Sequence, residues 1–125
     1  SATEYVENGW DINQSIYLSN KASKIGVDLV DCSSGGNSSK HTVVSYPGYQ
    51  VSYAKQIKKK TNMYTGAVGM ITDPIQANNI IETGEADIVL LGRELLRNPY
   101  WPNCAKKILT NTTNYPNQYS SVAKP

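Results

Sequence analysis

No apolar run in the 125-residue sequence approaches the ~20 residues that a membrane-spanning helix requires, and the polar, acidic opening segment is not a signal peptide. A membrane partner is therefore not expected, and the chain reads as soluble and cytoplasmic. Histidine occurs once, at His41, and cysteine twice, at Cys32 and Cys104. The cysteines lie far apart without metal-ligand spacing, so neither a zinc site nor a disulfide framework is indicated, and reduced thiols are expected. Net charge is scarce as well: twelve lysines and arginines against ten aspartates and glutamates leave a formal +2. That is too near neutral to imply nucleic acid or an anionic membrane on charge alone. The one basic cluster, Lys58 to Lys60, reads as the solvated end of a helix, where cations complement the macrodipole. Three Asn-x-Ser/Thr triplets, at Asn13, Asn37 and Asn111, would matter only in a secreted protein.

The chain does contain a regular alternation of helical and β-prone stretches. A helix is expected from near Asp11, with Ile12, Ile16 and Ser19, and Leu18, Ala22 and Ile25, at three- and four-residue spacings, ending at Gly26. Val27 to Cys32 reads as a short strand, and Ser33 to Ser39 as a polar loop at its carboxyl end. Pro47-Gly48 signals a turn into a second helix near Tyr49 and Gln50, with Val51, Ala54, Ile57 and Tyr53 as its inward stripe. Asn62 to Val68 is the next strand, closing at Gly69. Thr72 suits a helix N-cap, Asp73 and Pro74 suit the first turn, and Ala77, Ile80 and Ile81 face inward until Gly84. Ile88 to Leu91 lacks alternation, as expected of a parallel strand covered on both faces, and stops abruptly at Gly92 and Arg93. Asn98-Pro99 restarts a helix with Trp101, Ala105, Ile108 and Leu109 on one side, and beyond Thr110 the composition turns polar.

Single helices between successive strands imply βα units and a parallel sheet. Three such strands suit either a small open α/β layer or part of a (βα)8 barrel. A barrel needs eight units and typically ~250 residues, and this sequence carries about three and a half, so a fragment is expected. Open sheet edges should leave it marginal alone or associated with another copy. Gly69 and Gly92 end the last two strands, where barrels commonly build a phosphate site. A glycine admits close approach to the backbone, and Arg93 offers a charged fork suited to phosphate or carboxylate. An ordinary strand-to-helix turn with a surface arginine fits that stretch equally well when taken alone.

Five blocks carry a more specific signal: Ser-Ala-Thr-Glu-Tyr at 1–5, Gly-Val-Asp-Leu-Val-Asp-Cys-Ser-Ser-Gly at 26–35, Pro-Gly-Tyr-Gln-Val at 47–51, Thr-Gly-Ala-Val-Gly-Met-Ile at 65–71, and Ala-Asp-Ile-Val-Leu-Leu-Gly-Arg-Glu-Leu-Leu-Arg-Asn-Pro at 86–99. In this order they resemble the carboxyl-terminal part of bacterial NADPH dehydrogenases of the old yellow enzyme family, the NADH:flavin oxidoreductases. The resemblance implies that residues 1–110 are the carboxyl-terminal βα units of an FMN-binding TIM barrel, strands six to eight, followed by an extended polar tail at 111–125. It implies FMN as cofactor, NADPH as hydride donor and a small enone-like substrate. By motif, Gly69, Gly92 and Arg93 match the family's FMN phosphate cradle, with a short helix opening at Glu94 adding its dipole. The family's amino-terminal flavin contacts, its histidine pair, its tyrosine proton donor and an arginine preceding Ser1 have no counterpart in this sequence, so the chain alone is expected to be inactive. The sequence has serine within Gln118-Tyr119-Ser120-Ser121 where close bacterial members carry an arginine that reaches a neighbouring subunit. That departure argues against a shared-site dimer. Two readings from other classes stand beside this one: a free-standing α/β module binding a phosphorylated small molecule, and the phosphate-binding part of a non-flavin barrel isomerase or lyase.

No residue is assigned a catalytic or metal-binding role. His41 reads as an exposed loop residue and Cys32 as a small buried apolar one. Tyr46 and Tyr49 read as fastening their turn to the core, and Trp10 and Trp101 as covering core edges. Asp28 and Asp31, three apart in a strand, point to opposite faces and cannot form an acid–base pair. Asp87 is expected to bond neighbouring backbone or an arginine, and Arg97 to pair with Glu94.

Overall fold

In a computed structural model of the protein, which describes residues 1–39, 41–113, 115–119 and 121, helices and strands alternate as the sequence predicts. The first helix, α1 (Ile12–Ser23), opens on a capping box: Asp11 Oδ1 accepts from Gln14 N–H at 2.9 Å while Gln14 Oε1 accepts from Asp11 N–H at 2.9 Å. Its buried face differs from the expected aliphatic one. Ser15 and Ser19 are buried, whereas Leu18 is exposed and Ile25, beyond the helix, is 83% exposed. The reason is local: Ser15 Oγ donates to Ala2 O at 2.9 Å, so the inner side of the helix accommodates backbone of the first residues, and Ile12 and Ile16 reach the core only in part.

Three short strands, β1 (Leu29–Cys32), β2 (Tyr64–Ala67) and β3 (Ile88–Val89), form one parallel sheet in the order β1-β2-β3. The register pairs Leu29 with Tyr64, Cys32 with Ala67 and Gly66 with Ile88. Between them lie α2 (Val51–Lys60) and α3 (Pro74–Glu82); α4 (Arg93–Arg97) and α5 (Trp101–Thr110) follow β3. Helix α2 lies on β1 and β2, α3 on β3, α1 against α2, and α5 against α3. One face of the sheet is thereby covered: Cys32, Thr65 and Ala67 point into a core shared with Val51, Ala54 and Ile57 of α2.

The opposite face is not covered. Leu29, Tyr64 and Ile88 are 37, 63 and 39% exposed, and the register places them on the same side of the sheet. The expectation that β3 is covered on both faces is thus corrected. Its apolar run reflects one buried face and one bare apolar face, which composition cannot distinguish from two buried ones. Gly66, in the middle of β2, lets Leu90 lie across that bare face, since a Cβ at Gly66 would sit 2.7 Å from Leu90 Cδ1.

Other boundaries shift slightly. Asp73, rather than Thr72, caps α3 by accepting from Ile75 N–H at 3.0 Å, and Ile81 at the far end is exposed. On α5 only Trp101 and Ala105 are buried, with Trp101 Nε1 donating to Thr72 O at 2.7 Å, while Ile108 and Leu109 are exposed. Of the expected tail, Asn117–Tyr119 form a 3-10 turn, while Ser120 lies outside the described residues. Among the described residues no helix is long and apolar enough to cross a membrane.

Candidate functional site

The carboxyl ends of β2 and β3 open into a cleft of about 300 Å³ whose walls include Gly69, Met70, Gly92 and Arg93. The three site residues expected from sequence therefore meet in one place. After β2 the chain turns through two successive left-handed residues, Gly69 (φ 125°) and Met70 (φ 51°). At Gly69 a side chain would be excluded twice, by that backbone angle and by contact, since a Cβ would lie 3.0 Å from both Gln50 Nε2 and the Tyr49 ring. The turn is fastened from the α2 side: Gly48 N–H donates to Gly69 O at 2.8 Å, and Gln50 Nε2 donates to Val68 O at 3.1 Å.

Gly92 is different. Its φ is −78°, and a Cβ there would meet nothing within 4 Å. Side-chain packing therefore does not require glycine here, although its ψ of −95° lies outside the usual helical and extended ranges. Leu90 N–H donates to Ala67 O at 2.8 Å, which extends the ladder past β3 and sets where the Gly92 turn begins. Helix α4 starts at Arg93 and has five residues, so only a few peptide dipoles add along it. What this turn contributes is individual amides rather than a macrodipole. The backbone N–H groups of Gly69, Met70, Gly92 and Arg93 make no hydrogen bond within the chain among the described residues.

Two arginines border the cleft, in different states. Arg97 is engaged, with Nη2 2.7 Å and Nε 3.2 Å from Glu94 Oε2, the pair expected from sequence. Arg93 forms no ion pair with any described residue. The cleft thus gathers backbone donors and one uncompensated cation without a nucleophile or an acid–base pair. That donor set suits an anion with several acceptor oxygens, such as a phosphate monoester. Cys32 is buried away from the cleft, and burial, then the neighbouring Asp31 carboxylate, push its thiol up to about 12. His41 is exposed and stacks on Tyr5 at 5.6 Å.

Sequence reasoning missed Gln50. Its side chain is buried, and its Oε1 accepts from Ser34 N–H at 2.6 Å and from Ser34 Oγ at 2.9 Å. Ser34 Oγ also meets Tyr5 Oη at 2.8 Å, and Tyr53 Oη donates to Tyr5 Oη at 2.8 Å. The loops after β1 and β2 are tied together through this one carboxamide. A glutamine following a Pro-Gly-Tyr turn carries no sequence signal for such a role, because both partners are remote in sequence.

Residues 1–112 match the family described as NADH:flavin oxidoreductase / NADH oxidase. Among curated proteins, an NADPH dehydrogenase of Halalkalibacterium halodurans is 47% identical over 119 residues, which is 95% of this chain and 35% of that protein. One from Bacillus cytotoxicus is 46% identical over 120 residues (96% and 34%), and one from Bacillus subtilis 44% over 120 residues (95% and 35%). The chain spans about a third of the length of the curated relatives it matches.

Proposed function

Because the chain belongs to the NADH:flavin oxidoreductase / NADH oxidase family, we propose that it forms the carboxyl-terminal βα units, strands six to eight, of an FMN-dependent NADPH dehydrogenase of the old yellow enzyme type. The family fold is a (βα)8 barrel, and three parallel strands with flanking helices fit part of one. In this reading the cleft between the β2 and β3 turns holds the FMN phosphate. The observation that carries it is the convergence of Gly69, Gly92 and Arg93 on a cleft where Arg93 has no carboxylate partner among the described residues. Gly92 admits a phosphate oxygen against bare backbone, the amides of Gly69 and Met70 supply directed donors, and Arg93 supplies charge. Bound FMN would take hydride from NADPH and pass it to the activated double bond of a small enone-like substrate. This chain's residues hold and orient the cofactor's anionic end, and the groups that protonate substrate belong to the rest of the protein. Alone, the chain is inactive and associates through its bare sheet face.

The test is flavin affinity in the full-length protein. Arg93→Ala is expected to weaken FMN by the worth of a charge-assisted hydrogen bond, about 1.5 to 3 kcal/mol, or roughly tenfold to a hundredfold in Kd. Flavin fluorescence quenching reads this directly. Unchanged affinity would remove Arg93 from the site, and a full-length protein without affinity for FMN would overturn the proposal.

A further inference from the structure

We infer that Gln50 is a positioning residue for the phosphate loop, turning the Val68–Gly69 peptide so that its N–H faces the cleft, beside the Gly69–Met70 peptide that Gly48 holds. The inference rests on the phosphate reading above and deepens it. Gln50 occupies the N-cap of α2, yet its side chain makes no capping hydrogen bond. Instead the carboxamide is buried and bonded at both ends, to Ser34 in the loop after β1 and to Val68 O at the end of β2. Its orientation is fixed by chemistry: the end that meets Ser34 N–H must be the oxygen, and the end that meets Val68 O must be the NH2.

A trans peptide holds its C=O and N–H on opposite sides of one plane. Val68 O points to Gln50 Nε2 at 3.1 Å, so the N–H of Gly69, in the same plane, is turned away from α2. Gly69 O accepts from Gly48 N–H at 2.8 Å, so the N–H of Met70 is turned away likewise. Both residues line the cleft, and neither amide has an acceptor among the described residues. Two consecutive carbonyls anchored on the turn before α2 therefore leave two consecutive amides available to one anion, a concave donor arrangement suited to phosphate. Both residues of this turn have positive φ, Gly69 at 125° and Met70 at 51°. Ser34 keeps the carboxamide from rotating, because it supplies two donors to Oε1, and the Tyr53–Tyr5 hydroxyl pair supports Ser34 in turn.

A positioning role is separable from a general structural one by comparing FMN with riboflavin, which shares the ring and ribityl chain and lacks the phosphate. In the full-length protein, Gln50→Met is expected to weaken FMN about tenfold and leave riboflavin within about twofold. Arg93→Ala, measured alongside, reports on the phosphate reading itself. If Arg93→Ala lowers FMN selectively and Gln50→Met lowers both flavins equally or neither, the role of Gln50 is overturned and the phosphate site stands. If Arg93→Ala leaves the FMN-to-riboflavin ratio unchanged, the phosphate reading fails, and this inference with it. Should Gln50→Met not fold, Ser34→Ala, which removes one of the two donors holding Oε1, is expected to give a selective FMN loss of about threefold. An unchanged ratio in that variant overturns the inference.

Discussion

Cys32 and Cys104 differ in reactivity for reasons set at single positions. Cys32 is 1% exposed, and its thiol is pushed up to about 12, so at neutral pH it is both protonated and unreachable. Cys104 is exposed on α5. Alkylation by iodoacetamide at neutral pH should label Cys104 within minutes and leave Cys32 unmodified until the protein is denatured, a difference read by peptide mass spectrometry. Equal labelling of both would contradict the burial of the β1 end. The two site glycines are also distinguished at this scale. Gly69 is explained by its own φ of 125° and by the Tyr49 and Gln50 side chains it would strike, whereas at Gly92 a Cβ would strike nothing, so crowding does not account for glycine there.

Among the elements, the contact that joins α2, β2 and β3 is Asp87. Its Oδ2 accepts from Thr65 N–H at 2.8 Å, its Oδ1 lies 2.9 Å from Lys58 Nζ, and Lys58 also donates to Ala86 O. Burial pushes the Asp87 carboxyl up, but the hydrogen bonds from Lys58 and Thr65 and the lysine charge outweigh it, so the group is held below the ordinary aspartate value of 3.8. A depressed folded value means stability that is complete above the unfolded value and lost as pH falls through the folded one. The unfolding temperature should therefore decline as pH drops below about 4, and Asp87→Asn should flatten that decline. At neutral pH, Asp87→Ala leaves the buried Thr65 N–H unpaired and should cost about 1 to 3 kcal/mol by denaturant titration. FMN affinity should not change, because Asp87 sits at the amino end of its strand, away from the cleft.

The same elements indicate what the sequence could convey. Alternating helices and strands, the α2 stripe of Val51, Ala54 and Ile57, and the glycines closing β2 and β3 were legible because each is set by nearest-neighbour chemistry and spacing. The sequence reads Lys58 as part of a solvated cluster and Asp87 as meeting backbone or an arginine; the backbone partner is there, Thr65 N–H, but the cation is a lysine. Lys58 in fact meets Asp87, 29 positions on, and only folding brings those two together. Gln50 was illegible for the same reason. The serine-lined face of α1 escaped because its partner is the backbone of Ala2, which has no side-chain signature.

For the molecule as a whole, the governing feature is a sheet covered on one side. Leu29, Tyr64 and Ile88 present apolar surface with no described element over it, and β1 and β3 are both open edges. Expressed alone, the chain should self-associate at micromolar concentration, seen as concentration-dependent sedimentation; a strictly monomeric species across that range would contradict the proposed association. A more general consequence concerns the sign of mutations. A polar replacement such as Tyr64→Ser removes exposed apolar surface from the isolated chain and should make it better behaved. In the barrel proposed above, where that face would line the filled interior, the same replacement should be destabilising. A mutational scan of the isolated chain would therefore rank this face as tolerant and even improvable, while selection on the whole protein would rank it among the least tolerant, so the disagreement between the two scans would map the missing contact surface residue by residue.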